Sequence, residues 1–284
     1  MRLGAIEAQP GVREEAAFGD GVFWRIRDLS DGIDGVLDLL GAGPEAIALA
    51  EERARSVEGE PFQPNDLRAP FRPRRIFGVG HNYPKPGKSA ASGDAPPTIF
   101  LKNDETLNSP YGDVPLVPYS STLDYEGELG AVVAAPLWGA TPAAAAAAIG
   151  GYVVVNDITL REWARPETLT LAKNAPRSTP FGPWVTTADA APKAQRTRIQ
   201  SWVNGELRQS ASTGEMIRPV ADLLSFLSQA TPLLVGDLFL AGAPTGAGAT
   251  LTPPQFLSAG DIVRVEIDGL GAIENKIVNC ARND

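Results

Sequence analysis

The stretch that most restricts this chain is Leu123-Asp124-Tyr125-Glu126-Gly127-Glu128-Leu129-Gly130, running into Ala131-Val132-Val133. Read as one strand, its period of two sends Glu126 and Glu128 to one face and Tyr125, Leu129 and Val133 to the other. Two neighbouring carboxylates repel, so either one of them takes up a proton at neutral pH or a cation sits between them. Further on, Tyr152-Val153-Val154-Val155-Asn156-Asp157 is a continuous apolar run that ends in a third carboxylate. A buried strand delivering Asp157 beside Glu126 and Glu128 would complete an all-oxygen site of the kind Mg2+ or Mn2+ prefers. The competing reading puts the two glutamates on the solvated face of an edge strand, with Asp157 capping the segment after it.

A chain of 284 residues can bury a full core, and one large domain plus a small one is expected. Residues 1–70 read as a small N-terminal α/β domain, with a strand at Val22-Phe23-Trp24-Arg25-Ile26 and a helix from Pro44 to Arg55. Pro70-Phe71-Arg72-Pro73-Arg74-Arg75 reads as the boundary, and residues 71–284 as the larger domain. With no apolar run of membrane-spanning length and no leader-like start, a cytoplasmic, soluble protein is expected. Cys280 is the only cysteine, so no intrachain disulfide can form. The net charge of −9 argues against nucleic acid or an anionic membrane as partner. An anionic substrate would then need a local positive site, which a bound cation provides.

Within the larger part, Ile76 to Gly80 reads as a buried strand emptying into a long Pro-, Gly- and Ser-rich stretch, His81 to Pro97, read as a lid. His81 is the only histidine; a structural role competes with one facing the site. Thr98 to Lys102 reads as another strand, with Lys102 holding a local carboxylate. Thr141-Pro142 and the following alanines, closed by Gly150-Gly151, have the grammar of a helix. Asn204-Gly205 predicts a hairpin, and residues 219–229 an amphipathic helix with Val220, Leu223, Leu224 and Leu227 on one face. Strands are expected at Asp261–Asp268 and Ile273–Val278. The glycines of Ala241 to Gly248 would let backbone amides approach an anion.

Several of these segments, with Pro180-Phe181-Gly182-Pro183-Trp184, Val235-Gly236-Asp237 and Gly260-Asp261-Ile262-Val263, resemble in order the motifs of the fumarylacetoacetate hydrolase family over about residues 75 to 280. The resemblance implies an α+β, β-rich roll of mixed β-sandwich type and a homodimer. It implies Mg2+ or Mn2+ on Glu126, Glu128 and Asp157, with Arg161 and Lys173 at the offsets the family uses for substrate contact and catalysis. Tyr83 and Thr245 join them as expected substrate contacts, and His81 as an expected catalytic base.

The implied activity is hydrolysis of a C–C bond in a β-diketone or an acylpyruvate-type 2-oxo acid. Decarboxylase, tautomerase and dehydratase readings stay open, as does a binding relative without turnover. Three positions depart from the hydrolytic pattern: Pro86 stands where the family has histidine, Ala164 where hydrolytic relatives often carry glutamine, and Ala243 where threonine is usual.

Overall fold

The computed structural model describes residues 1–84, 96–191 and 193–280. The N-terminal part runs β1 (Arg2–Gln9), β2 (Val12–Phe18) and β3 (Val22–Arg25), then α1 (Ile26–Leu29), α2 (Val36–Ala42) and α3 (Pro44–Ser56), then β4 (Glu60–Pro61) and β5 (Leu67–Arg68). Residues 69–75 are neither helix nor strand. There follow β6 (Ile76–Gly80), β7 (Thr98–Lys102), β8 (Leu107–Asn108), β9 (Val114–Leu116), β10 (Leu123–Asp124) and β11 (Gly127–Val133). Next come α4 (Pro142–Ala147), β12 (Ile149–Asn156), β13 (Thr159–Leu160), α5 (Leu169–Lys173) and β14 (Thr179–Thr187). The chain closes with β15 (Arg198–Val203), β16 (Glu206–Ser212), α6 (Val220–Ala230), β17 (Leu238–Leu240), β18 (Ile262–Ile267) and β19 (Gly271–Asn279).

A large mixed sheet has the order β4-β3-β2-β1-β14-β12-β11-β17-β6-β7, and a smaller one the order β16-β15-β18-β19-β9. β1 pairs with β14 at Arg2↔Thr186 and Leu3↔Val185, so the N-terminal strands extend the sheet of the larger part. The core lies on both faces of that sheet. On one, Leu129, Ala131, Val133 and Val154 meet Val263, Val265, Ile267 and Ile273 of the small sheet and Leu223, Leu224 and Leu227 of α6. On the other, Val132, Val153, Val155 and Leu240 pack against Leu39, Leu40 and Ile47 of α2 and α3. Burial on both faces is why β11 and β12 read as continuous apolar runs rather than alternating ones. Each buried aliphatic side chain of this size is worth roughly 1.5–3 kcal/mol over its exposed state.

One expectation is corrected. Gly150 and Gly151 do not stop the alanine helix; α4 ends at Ala147, Ala148 caps it, and both glycines lie inside β12. β14, paired to both β1 and β12, carries Pro180 and Pro183, residues that normally argue against a central strand. Its pairing with β12 shifts register between Val154↔Gly182 and Tyr152↔Thr186, and this irregularity spans Pro183, which has no N–H to give. No helix among the described residues is long and apolar enough to cross a membrane. Most of the stretch read as a lid, including Pro86, lies at residues 85–95, outside the described residues.

Candidate metal centre and the cavity beside it

Antiparallel pairing of β11 with β12 sets Gly127 opposite Asn156 and Glu128 opposite Val155, so the acid-bearing ends of both strands lie side by side. The uninterrupted strand expected from residue 123 onward breaks at Tyr125-Glu126. There the Glu126 N–H donates to Asn156 Oδ1 (3.1 Å), the Glu126 carbonyl accepts from the Asp157 N–H (2.8 Å), and the Tyr125 hydroxyl donates to the Gly246 carbonyl (2.9 Å). The side chains nevertheless converge: one oxygen from each of Glu126, Glu128 and Asp157 lies within 4.8 Å of the others. Gly127 between the glutamates is dictated by packing, since a Cβ there would stand 2.3 Å from Ser201 Oγ and 2.9 Å from Val265 Cγ1 of the small sheet.

Three side-chain cations face these acids. Lys173, at the end of α5, donates to Glu126 Oε2 (2.6 Å), Asp157 Oδ2 (2.6 Å) and Thr159 Oγ1 (2.8 Å), which uses all of its N–H groups. Lys102, at the end of β7 and fully buried, donates to Asp157 Oδ1 (2.5 Å). Arg161 reaches Asp124 Oδ2 through Nε and Glu126 Oε1 through Nη2, both at 2.7 Å. Asp124 also accepts the N–H groups of Gly248 (2.7 Å) and Ala249 (3.0 Å), tying the cavity-wall loop to the same cluster. Among the described residues Glu128 meets only the Gly242 N–H, at 2.7 Å. Gly242 has φ +90 and lies so close to Asn82 that a Cβ would come 2.8 Å from the Asn82 Cβ, so glycine alone suits this donor.

This wiring sets the electrostatics. Burial pushes the Glu126 carboxyl up, but the charges of Lys173 and Arg161 outweigh it and hold it down at about 2. Glu128 goes the other way: burial first, then the neighbouring Asp157 and Glu126, push it well above the usual carboxylate range. Burial pulls Lys173 down, yet Asp157, Glu126 and Glu128 raise it overall, so it stays an ammonium and serves as cation and donor rather than base. Among the described residues, Asp124, Glu126, Glu128 and Asp157 face Lys102, Lys173 and Arg161, one negative charge in excess when all are ionised. A hard divalent ion fits this all-oxygen set and removes the need for Glu128 to hold a proton. Both oxygens of Glu126 and of Asp157 already meet cations, but each carboxylate oxygen has a second lone pair for an ion to share.

A cavity of about 550 Å³ opens on this cluster, and Glu126, Glu128, Arg161 and Lys173 form part of its wall together with His81, Tyr83 and Thr245. The cavity wall thus includes every expected site residue except Asp157, which is buried and joins Glu126 and Glu128 in the carboxylate cluster while contacting Lys173. His81 sits at the end of β6 with φ 60, a left-handed conformation uncommon outside glycine, and its neighbour Asn82 is locked by hydrogen bonds to Arg218 and Ala241. The Tyr83 hydroxyl is buried without a hydrogen-bond partner among the described residues, and burial, then Glu128, raises its pKa. Ala164 and Ala243 also line the cavity.

The sequence pointed to no role for Asp124, and for Lys102 it favoured holding a local carboxylate over the place at the active-site mouth that the family resemblance implies. The signal for Lys102 was its phase: in Thr98-Ile99-Phe100-Leu101-Lys102 it shares the inward face with Phe100. Lys102→Met leaves Asp157 with one buried partner fewer, and a loss of about 3 kcal/mol in chelator-treated protein is expected, read by denaturant unfolding.

Residues 75–278 match the family model described as fumarylacetoacetate (FAA) hydrolase C-terminal. The oxaloacetate tautomerase YisK of Bacillus subtilis (strain 168) is 33% identical over 210 residues, 72% of this chain and 69% of that protein. Among solved structures, the fumarylacetoacetate hydrolase (EaFAH) from psychrophilic Exiguobacterium antarcticum aligns with a TM-score of 0.83 at 26% identity, covering 99% of this chain and 100% of that one. The maleylpyruvate hydrolase from Sphingobium sp. SYK-6, in complex with manganese (II) ion and pyruvate, shares the fold with a TM-score of 0.81 at 22% identity and the same coverage. With a sequence match reaching from the start of the sixth strand almost to the end of the last, the chain belongs to the fumarylacetoacetate hydrolase family.

Proposed function

We propose that this chain is a divalent-metal-dependent enzyme that interconverts the keto and enol forms of a small 2-oxo acid, with Mg2+ or Mn2+ held by Glu126, Glu128 and Asp157. The observation that carries this reading is the convergence of three carboxylates within 4.8 Å, two of them in the wall of the cavity, beside the fixed cations Arg161 and Lys173. A divalent ion at these oxygens supplies a Lewis acid for the substrate carbonyl. Arg161, fixed by Asp124 and Glu126, offers its charge to the substrate carboxylate. Lys173, with its Nζ 4.8 Å from the Phe100 ring centroid, places an ammonium where negative charge develops as a C3 proton leaves. A ring nitrogen of His81, which also lines the cavity, takes that proton.

Tautomerisation needs the C3 proton removed and a proton given to the enolate oxygen, by the same imidazolium or by solvent, whereas hydrolysis also needs a held and activated water. Ala164 offers no polar side chain to orient one, and Pro86 removes the imidazole of the hydrolytic pattern. The relative named as an oxaloacetate tautomerase supports the same choice. C–C hydrolysis of an acylpyruvate is the second reading, favoured by His81 lining the cavity as a base that could serve water instead. Homodimer assembly belongs to the proposal and is supported by Tyr119, Trp163 and Leu171, three exposed apolar side chains bordering one shallow groove.

The test is proton NMR of Mn2+-loaded protein in D2O with pyruvate, oxaloacetate and acylpyruvates. Accelerated C3 deuteration is the expected result, release of pyruvate plus a second acid marks hydrolysis, and neither, at any metal loading, removes the reading. His81→Ala should slow the exchange roughly a hundredfold. A near-normal rate makes His81 structural.

A further inference from the structure

We infer that Gln209 is a positioning residue: its side-chain amide holds the peptide between Glu126 and Glu128 and the cavity wall at Pro244 in one fixed relation. This rests on the reading of the two glutamates as metal ligands and of the cavity as the substrate site. Gln209 lies on β16, the edge strand of the small sheet, and is the one residue of that strand that is fully buried. A buried amide costs stability unless both of its ends are bonded. Here both are, since Oε1 accepts the Gly127 N–H (2.9 Å) and Nε2 donates to the Pro244 carbonyl (2.7 Å).

The local backbone explains why a side chain does this work. β17 ends at Leu240, opposite Gly130, and residues 241–247 leave the sheet without forming helix or strand. The Gly127 N–H lies beyond that last pair, and Gln209 takes the place of a strand partner for it. On β16 the pairing with β15 shifts register between Ser201↔Gln209 and Trp202↔Leu207, which leaves Arg208 as a bulge beside Gln209. Bulges re-aim the side chains next to them. The loop is seated on this bulge, because a Cβ on Gly246 would stand 2.0 Å from the Arg208 carbonyl oxygen. Its other fastenings run to the acid-bearing segment: Gly242 N–H to Glu128, Gly248 N–H to Asp124, and the Gly246 carbonyl to the Tyr125 hydroxyl. Gln209 adds the small sheet to that set, and it grips Pro244, a wall residue between Ala243 and Thr245. A wall displaced by about 1 Å from the reacting groups can cost up to about a hundredfold in rate.

Two variants of the full-length chain test this. Gln209→Met keeps the length of the side chain and loses the amide. Gln209→Glu can donate to Pro244 and accept from Gly127 as a neutral acid, whereas as a carboxylate it can only accept. Each is compared with wild type at the same pH, by amide hydrogen exchange of residues 242–249 in chelator and by C3 deuteration of pyruvate, oxaloacetate and acylpyruvates at saturating Mn2+. In Gln209→Met the loop should exchange at least about tenfold faster, and kcat should fall roughly ten- to a hundredfold. In Gln209→Glu both ratios should move toward one as pH falls. Wild-type kcat in Gln209→Met overturns the inference, with or without a faster-exchanging loop, since a residue that only adds stability would leave kcat in place. A Gln209→Glu protein whose ratios do not improve at lower pH and never exceed those of Gln209→Met overturns it too, and this arm decides alone if Gln209→Met fails to fold. If wild type deuterates none of the probes, the reaction reading falls, and the exchange ratios with their recovery in Gln209→Glu still decide whether Gln209 fixes the loop.

Discussion

Glu128→Ala is expected to weaken Mn2+ binding by more than about a hundredfold and to take turnover with it. Glu128 is the carboxylate with least support among the described residues: it is buried, and its one hydrogen bond there comes from the Gly242 N–H. Unlike Glu126 and Asp157 it touches no lysine or arginine among the described residues, and a bound ion is the partner proposed for its charge. This fixes the sign of the pH dependence. Because its pKa is raised, Glu128 carries a proton above the usual carboxylate range when no ion is present, and that proton must leave on metal uptake. Mn2+ affinity should therefore rise with pH, with proton release measurable by calorimetry in buffers of different ionisation enthalpy. In chelator, a raised carboxyl pKa contributes stability that is complete below the unfolded value and is lost as pH rises through the folded value. Tm should accordingly fall across that window, and added Mn2+ should abolish the fall. Glu128→Ala should show neither effect.

Lys173→Met should produce the opposite pattern, with turnover lower by roughly a hundred- to a thousandfold and metal uptake intact. The ammonium competes with an entering ion for Glu126 and Asp157, so its removal does not deprive the metal of a ligand. It does remove a fixed positive charge from the place where an enolate forms. In chelator the variant leaves two buried acids short of a partner, and a destabilisation of about 3–5 kcal/mol is expected, largely recovered with Mn2+. Paired Mn2+ titration and C3 deuteration measure both halves. Loss of metal binding in Lys173→Met would show that the lysine organises the ligands rather than the substrate.

The central strands and the acids at their ends were legible because they depend on patterns a sequence displays openly. The apolar runs of β11 and β12 report burial on both faces, and Asn204 and Gly205, with φ 53 and 80, form the hairpin turn that their dipeptide announces. The features that stayed hidden depend on distant partners. The break at Tyr125-Glu126 is made by Asn156 and Gly246, neither of which is local to it. The β1–β2 hairpin joins across Pro10-Gly11 but carries Arg13, Glu14 and Glu15, whose charges mask its period. β14 hides behind its prolines. Asp124 looked like one more acid of the strand until the loop at Gly248 and Ala249 folded onto it.

Crystals soaked in Mn2+ and measured at an energy where manganese scatters anomalously put the central claim to the most direct test. The expected result is a single strong peak whose nearest protein atoms are carboxylate oxygens of Glu126, Glu128 and Asp157, at about 2.0–2.3 Å. A density map with no peak there, and with Lys173, Lys102 and Arg161 still satisfying Glu126 and Asp157 as they do in this structure, would contradict it.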